Sequence, residues 1–504
     1  MNQDGEYTIT DAVLLQQFIL GKIKVFPVAE RRVDTEKMEL AFSGITLASS
    51  YKAENESNPL ISQYFGADPG TMEYNGRVYV YMTNDALLYE NGSVADNKYS
   101  SINTLRCISS DDMVNWTDHG LINVAGANGA AKWAGCSWAP TACHKTINGK
   151  EKFFLYFANN ANGIGVLTSD SPTGPWTDPI GKALISRSTA NCSDVTWLFD
   201  PAVFVDDDGT GYLYFGGGVP ETNGVKQSAN PKTARVVKLG ADMVSLNGNP
   251  ITIDAPYLFE DSGINKINGK YYYSYCSNWN TGGNSYGLTT AAIEYMVSDS
   301  PMGPFTYKGE LFKNIGNFFG TVGNNHHTIQ KFGNDYYLFY HAQYLQDKMG
   351  ITGGYRSTHA DKLTVNSNGT LSAVTGTKAG VSQVKMLNPY STVRAATFSH
   401  QGGITISGSG DTTVNADRGD WFEVSGVDCS KGAKSITIKA SSASGAVIKV
   451  CTGSASGKAV GYVEIPAGGR RQEITAPVSG LRGQNDLFFV FSGTVSVDSW
   501  IVNY

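Results

Sequence analysis

Asn268-Gly-Lys-Tyr-Tyr-Tyr-Ser-Tyr275 places a two-residue turn directly before a strand of aromatic residues. Asn-Gly favours the type I′ hairpin turn, whose two central residues both need positive φ. The unit recurs as Asn75-Gly-Arg-Val-Tyr-Val-Tyr-Met82, Asn148-Gly-Lys-Glu-Lys-Phe-Phe-Leu-Tyr-Phe157, Asp208-Gly-Thr-Gly-Tyr-Leu-Tyr-Phe215 and Gly333-Asn-Asp-Tyr-Tyr-Leu-Phe-Tyr340. The turn glycines 76, 149, 209, 269 and 333 are 73, 60, 60 and 64 residues apart. Later turns punctuate three of these periods: Ser110-Asp-Asp-Met-Val-Asn-Trp116, Ser169-Asp-Ser-Pro-Thr-Gly-Pro-Trp176 and Ser298-Asp-Ser-Pro-Met-Gly-Pro-Phe305. A period of about 60 residues accommodates a four-stranded antiparallel sheet with its loops, which is one propeller blade. The repeat therefore predicts an all-β chain whose residues 36–390 form a five-bladed β-propeller.

The flanks read differently. After Ser391 the chain turns to Gly, Ser, Thr and Val, and alternating strands such as Ser435-Ile-Thr-Ile-Lys439 and Asp486-Leu-Phe-Phe-Val-Phe491 predict a β-sandwich, jelly-roll-like, over 391–504. Residues 1–35 read as a short α-helical remnant. Asn2, Asp4, Gly5 and Asp11 fit positions three, five, six and twelve of a calcium loop. A helix follows with Thr10 as its N-cap, Val13, Leu14, Phe18 and Ile19 as its apolar residues, and Gly21 as its stop.

Composition narrows the function. Of 504 residues, 57 are Gly and 27 are Tyr, in keeping with many turns and polar aromatic surfaces. Lys+Arg 39 against Asp+Glu 45 gives a net charge of -6, which argues against nucleic-acid and anionic-membrane partners. The longest apolar stretch, Ala12 to Ile23, is too short and too polar to cross a membrane. The seven Cys are scattered without a CxxC pair, and an odd number leaves at least one unpaired. Asn2, Asp4 and Glu6 do not make a basic leader.

The repeat also places the chemistry. Just before each turn comes the innermost strand of its blade, whose end opens on the central axis. That stretch holds Asp68 in Gly66-Ala-Asp-Pro-Gly70, Asp200 in Phe199-Asp-Pro201 and Glu260 in Phe259-Glu-Asp-Ser262. The other two blades offer Ser137-Trp-Ala-Pro140 and Asn324-Asn-His-His327. A lone Asp-Pro beside a strand is most often a turn. Three carboxylates within one residue of a shared register predict a converging site. Such a trio suits glycoside hydrolysis: an acid of raised pKa protonates the leaving oxygen while a carboxylate base activates water on the opposite face. A third anion raises the acid's pKa by like-charge repulsion. Carboxylates on different blades suggest separations of about 6.5–9.5 Å, the inverting geometry.

In order, GADPG, SWAP, FDPAVFVDDDG, FEDSG and NNHH make residues 50–390 resemble glycoside hydrolase family 43. The resemblance implies Asp68 as general base, Glu260 as general acid and Asp200 as pKa modulator. Asp261 is the rival acid, expected from strand alternation to face away from the axis. It further implies a calcium ion with its waters in the axial channel, touched by His326 or His327, and a sugar pocket shaped by Trp138 and Arg356. The implied activity is an inverting, exo-acting α-L-arabinofuranosidase acting on arabinoxylan side chains. Two alternatives stay open within the family, β-xylosidase and arabinanase. A third, of another class, is a non-catalytic sugar-binding propeller. The protein would be extracellular and monomeric.

The C-terminal stretch resembles a family 6 carbohydrate-binding module through Gly419-Asp-Trp-Phe-Glu423, Leu487-Phe-Phe-Val-Phe-Ser-Gly493 and Val497-Asp-Ser-Trp500. It departs where that family sandwiches a sugar between aromatics, having Asn415 or Ala416, Arg470 or Arg471, and Ser496. The early acidic pair for a structural calcium is replaced by Arg394-Ala-Ala396. Trp421 and Trp500 are expected in the core. The segment DGEYTITDAVLLQQFILGK resembles the second repeat of a dockerin, which would imply a cohesin scaffold as partner.

Overall fold

The computed structural model describes residues 9–20, 22 and 35–504. The calcium-loop positions Asn2, Asp4 and Gly5 and the helix stop at Gly21 lie outside the described residues. A helix spans Ile9–Ile19, so Thr10 stands inside it and not at its cap. Everything after residue 60 is dominated by strands, with three short helical segments beyond that point, Tyr99–Ser101, Gly316–Phe319 and Tyr344–Lys348.

Five antiparallel sheets follow one another in chain order, each beginning with the strand that precedes an aromatic hairpin turn. These first strands are Ala67–Tyr74, Trp138–Ile147, Ala202–Val205, Leu258–Ile267 and His327–Phe332. Each touches the first strand of the next sheet, and the fifth touches the first. Alternation along the second strands buries one aromatic row between sheets. Tyr214 and Tyr273 lie stacked, with centroids 6.0 Å apart. The first unit contributes four strands to an 11-stranded sheet, the third and fourth sheets have four strands, and the second and fifth have three.

Three of the five hairpins are built as expected. Asn75–Gly76, Asn148–Gly149 and Asn268–Gly269 all have both central residues at positive φ. The turn at Gly209 is wider: only the glycine is left-handed, and Asp206 N–H bonds the Thr210 carbonyl at 2.9 Å.

The C-terminal part is a two-sheet sandwich. One sheet runs through Thr405–Ser409, Asp411–Ala416, Val495–Asn503, Ser435–Ser441 and Gln472–Pro477, the other through His400–Gly402, Trp421–Cys429, Gly483–Phe491, Ala446–Thr452 and Lys458–Ile465. Trp500 lies in the core between them, 1% exposed. Trp421 is buried on the other side of its sheet, beneath residues 35–48. There Phe42 and Leu47 pack against Trp421, Phe488 and Val490, and Met38 packs against Val447 and Tyr462. The Trp421 Nε1–H donates to the Ala48 carbonyl at 2.9 Å. The outer face of this sheet is thus covered by the chain's own N-terminal strap.

The two halves share a sheet. The outer strand of the first sheet, Trp116–Asn123, pairs with Thr397–Phe398 and, at Gly120, with Ser409 of the sandwich. Asn115 fastens the junction: its Nδ2 donates to Asp112 Oδ2 at 2.7 Å and to the Ser425 carbonyl at 2.8 Å, and its Oδ1 accepts the Ser425 N–H at 2.9 Å. All seven cysteines are buried free thiols.

A shared sheet couples the stabilities of its two halves. Calorimetry is expected to show one cooperative transition over residues 35–504, and Asn115→Ala to lower stability by about 2 kcal/mol through buried groups left unpaired. Two well-separated transitions would show that the halves unfold independently.

Candidate active site

The entrance of each first strand carries the site, and its backbone explains why. Asp68, Ala139, Asp200 and Asp261 all adopt positive φ, at 49°, 42°, 48° and 67°. In the first, second and fourth sheets the pairing register shifts there, between Ala67 and Gly70, Trp138 and Thr141, and Glu260 and Gly263. These are bulges, devices that re-aim a side chain at the end of a strand. Strained left-handed residues of this kind are concentrated at functional sites.

The bulges correct the expected register. Asp68 and Asp200 are equivalent, but their counterpart in the fourth sheet is Asp261. Glu260 occupies the preceding position, the one held by Trp138 in the second sheet. Strict alternation does not survive a bulge, so Asp261 is not turned outward. It is fully buried, its Oδ2 accepts the His327 N–H at 3.0 Å and meets His327 Nδ1 at 2.5 Å, and its own N–H donates to Asp200 Oδ2 at 3.0 Å.

Asp68, Asp200 and Glu260 line one cavity of about 460 Å³, together with Trp138, His326 and Arg356. Asp68 and Asp200 are each 5% exposed, while Glu260 keeps more of its surface open to the cavity. His326 Nδ1 lies 3.8 Å from both Asp68 Oδ1 and Asp200 Oδ2, which ties the first and third sheets to the fifth. Aromatic walls complete the cavity: Tyr99, Trp197, Phe199 and Phe259. Trp197 meets Phe259 edge-on with centroids 5.0 Å apart.

Electrostatics divides the carboxylates. Burial alone would raise Asp68, but the Arg356 guanidinium, bonded to Asp68 Oδ1 at 2.8 Å, together with His341 and His326 outweighs it and holds the carboxyl well below its usual range. His341 Nδ1 lies 3.2 Å from Asp68 Oδ1 and also holds the backbone. Its Nε2–H donates to the Asn324 carbonyl at 3.0 Å, leaving Nδ1 to accept the Asp68 N–H at 3.0 Å. Burial raises Asp200 well above the ordinary value, and the charges of Glu260, Asp68 and Asp261 add to it. Glu260 is pushed up to about 8 by burial and then by Asp261 and Asp68. Neutral pH thus sets an ionised base, Asp68, against a protonated acid, Glu260.

Arg356 is 4% exposed and, beyond Asp68, binds Asp85 through Nε and Nη2, both at 2.8 Å. It braces the carboxylates in addition to lining the cavity. Trp138 is fixed by its Nε1–H, which donates to the Tyr99 carbonyl at 2.9 Å. His327 does not reach the cavity: Asp261 and Ser274 Oγ, the latter at 2.6 Å, take both ring nitrogens. Of the two histidines, only His326 lines the cavity with Asp68, Asp200 and Glu260. Among the described residues no three His, Cys, Asp or Glu side chains converge as a metal cage.

Sequence reasoning missed Asp85, His341 and the walls Tyr99, Trp197 and Phe259. Asp85 had a findable signal. It follows Asn84 just after a second strand, where the equivalent stretch of the second sheet is Asn159-Asn160 and that of the fourth is Asn278-Trp279.

Residues 57–371 match the model of the glycosyl hydrolases family 43. The chain belongs to that family. Family 43 likeness extends to whole proteins. An arabinoxylan arabinofuranohydrolase of Bacillus subtilis (strain 168) is 51% identical over 480 residues, covering 91% of this chain and 93% of that relative. One from Paenibacillus polymyxa is 47% identical over 513 residues, covering 97% and 79%. The crystal structure of a family 43 arabinoxylan arabinofuranohydrolase from Bacillus subtilis, in complex with cellotetraose, superposes with a TM-score of 0.88 at 49% identity, covering 90% of this chain and 99% of that one. Residues 394–504 match the family 6 carbohydrate-binding module.

Asn415, Arg471 and Ser496, which stand where the resemblance implies a sugar cleft, lie together in that module. Asn415 Oδ1 accepts from Ser496 Oγ at 2.7 Å, and Arg471 Nη1 donates to the Ser496 carbonyl at 2.6 Å, so these polar side chains satisfy one another.

The site's charge pattern is directly measurable. Titration of ¹³C-labelled glutamate carboxyls is expected to show two midpoints near 8, those of Glu260 and the buried Glu294, of which one disappears in Glu260→Gln. A Glu260 midpoint in the ordinary carboxylate range of about 4 would contradict this reading of the site.

Proposed function

We propose that this family 43 glycoside hydrolase is an inverting, exo-acting α-L-arabinofuranosidase that removes arabinose side chains from arabinoxylan. The observation that carries the reading is the split of three gathered carboxyls into a depressed Asp68 and a raised Glu260. Its close likeness to two arabinoxylan arabinofuranohydrolases supports the substrate. Five sheets whose first strands touch in cyclic order support a closed five-bladed propeller, with the catalytic cavity at one end of its axis.

In the proposed mechanism the furanose enters among the aromatic walls. Glu260, protonated at neutral pH, gives its proton to the glycosidic oxygen as the bond to the xylan breaks. Asp68, ionised, takes a proton from water, which attacks the anomeric carbon from the opposite face. Burial and then Asp261 and Asp68 keep the acid high, and Asp200, held by the Asp261 N–H, stays fixed beside them. Regeneration returns a proton from Asp68 to Glu260 through solvent.

The donors here suit a hydrated calcium ion. Calcium prefers oxygen ligands, Asp261 Oδ1 is buried without a hydrogen-bond partner, and His326 Nε2 lies 3.2 Å from it. Such an ion would be held by its waters beside His326, not His327, and would supply positive charge to balance the acidic cluster. An extracellular location and a cohesin scaffold reached through the N-terminal segment complete the proposal.

Glu260→Gln is expected to lower kcat on arabinoxylan by about 10²–10⁴-fold with KM little changed. The loss should be smaller on p-nitrophenyl arabinofuranoside, whose leaving group needs little protonation. Proton NMR of early product should show the inverted anomer. Turnover of the aryl xyloside alone, or retention of configuration, would overturn the proposal.

A further inference from the structure

We propose that Asp85, a residue outside the sugar cavity, is a positioning residue for the base, acting on Asp68 only through Arg356. The proposal rests on the reading of Asp68 as the base.

The geometry is a relay of three groups from three chain segments. Asp85 follows the second strand of the first sheet, Asp68 sits at the bulge of that sheet's first strand, and Arg356 precedes the last strand of the fifth sheet. Asp85 is 0% exposed and grips Arg356 at both ends. Its Oδ2 accepts the Arg356 backbone N–H at 3.0 Å and Nε–H at 2.8 Å, while Oδ1 accepts from Nη2 at 2.8 Å. A two-point fork of this kind fixes the plane of a guanidinium, not merely its position. The Tyr99 ring stacks against the same group, 4.9 Å from centroid to Cζ. With the plane fixed, Nη1 has one direction left, and along it lies Asp68 Oδ1 at 2.8 Å.

Two consequences follow. Asp85 neutralises the buried guanidinium, so Arg356 can hold Asp68 in place without adding a net positive charge to the cavity. It also sets the direction of the Asp68 carboxylate across the seam between the first and fifth sheets. Without Asp85 the guanidinium is free to rotate toward Asp68 and bind it face-on, which would take up the oxygen needed for water.

The test is a double-mutant cycle on the full chain with arabinoxylan, comparing Asp85→Asn, Arg356→Gln and both together at equal concentrations of folded enzyme. Asp85→Asn is expected to lower kcat/KM by about 10²-fold, mostly in kcat. Added to Arg356→Gln, it should cost less than about twofold, because its only route to Asp68 is already cut. Equal costs in both backgrounds would overturn the proposal, as would an unchanged kcat in the single variant. Asp85→Asn leaves a buried guanidinium short of a partner and can fail to fold. Asp85→Glu keeps the charge and moves the fork by one methylene. It should fold with the native circular dichroism spectrum yet lose kcat with KM nearly constant, and wild-type kcat in this variant would count against the relay. Asp68→Asn and Glu260→Gln separate the two ideas: if both keep full turnover, the base assignment itself fails, whereas if both lose it and the cycle is additive, only the Asp85 relay fails.

Discussion

The active site is governed by a shortage of positive charge. Asp68, Asp85, Asp200, Glu260 and Asp261 are gathered within two neighbouring shells of side chains, and Arg356 is the cation bonded among them. Burying several carboxylates around one guanidinium cannot leave all of them ionised. The guanidinium lies against Asp68 and Asp85, while burial and neighbouring carboxylates push Asp200 and Glu260 up. Base and acid are thus set apart by the Arg356 bond at Asp68 and by burial at Glu260. His326 does not relieve the shortage, because its own burial pushes its imidazole down and keeps it neutral.

The fold's contribution is to bring these groups together with little local freedom. Four of the five first strands enter their sheets through a left-handed residue, and in three of them the bulge that follows re-aims a side chain at the strand's end. Pro69, Pro140 and Pro201 follow three of those residues and restrict the backbone further. The sandwich adds rigidity from outside. Its strands extend the first sheet, the one that supplies Asp68 and Asp85, and its other sheet is closed over by residues 35–48. In this arrangement the module braces the enzyme, whatever sugar contacts it makes elsewhere.

Much of this was legible in the sequence. The aromatic hairpins mark all five sheets, because Asn-Gly and Asp-Gly turns and alternating tyrosines are local signals. Asp68, Asp200 and Glu260 could be picked out because their distance to the next turn glycine is nearly constant. What escaped depended on contacts across sheets. Arg356 reads as a sugar contact until Asp85 and Asp68 are seen on either side of it, 271 and 288 residues away. His326 and His327 are adjacent in sequence, and only the pairing of His327 with Tyr340 shows which of them turns into the wall. Asp261 was misjudged because alternation holds only where a strand is regular, and the strand breaks there. The N-terminal strap gave no warning, since Met38, Phe42 and Leu47 carry no motif that names their partner.

The account stands on where two protons are at neutral pH. Neutron diffraction from crystals exchanged into D₂O near pD 7 would locate them without reference to rate. Deuterium on the Glu260 carboxyl and none on Asp68 is the predicted result. Deuterium on Asp68, or a bare Glu260, would contradict it.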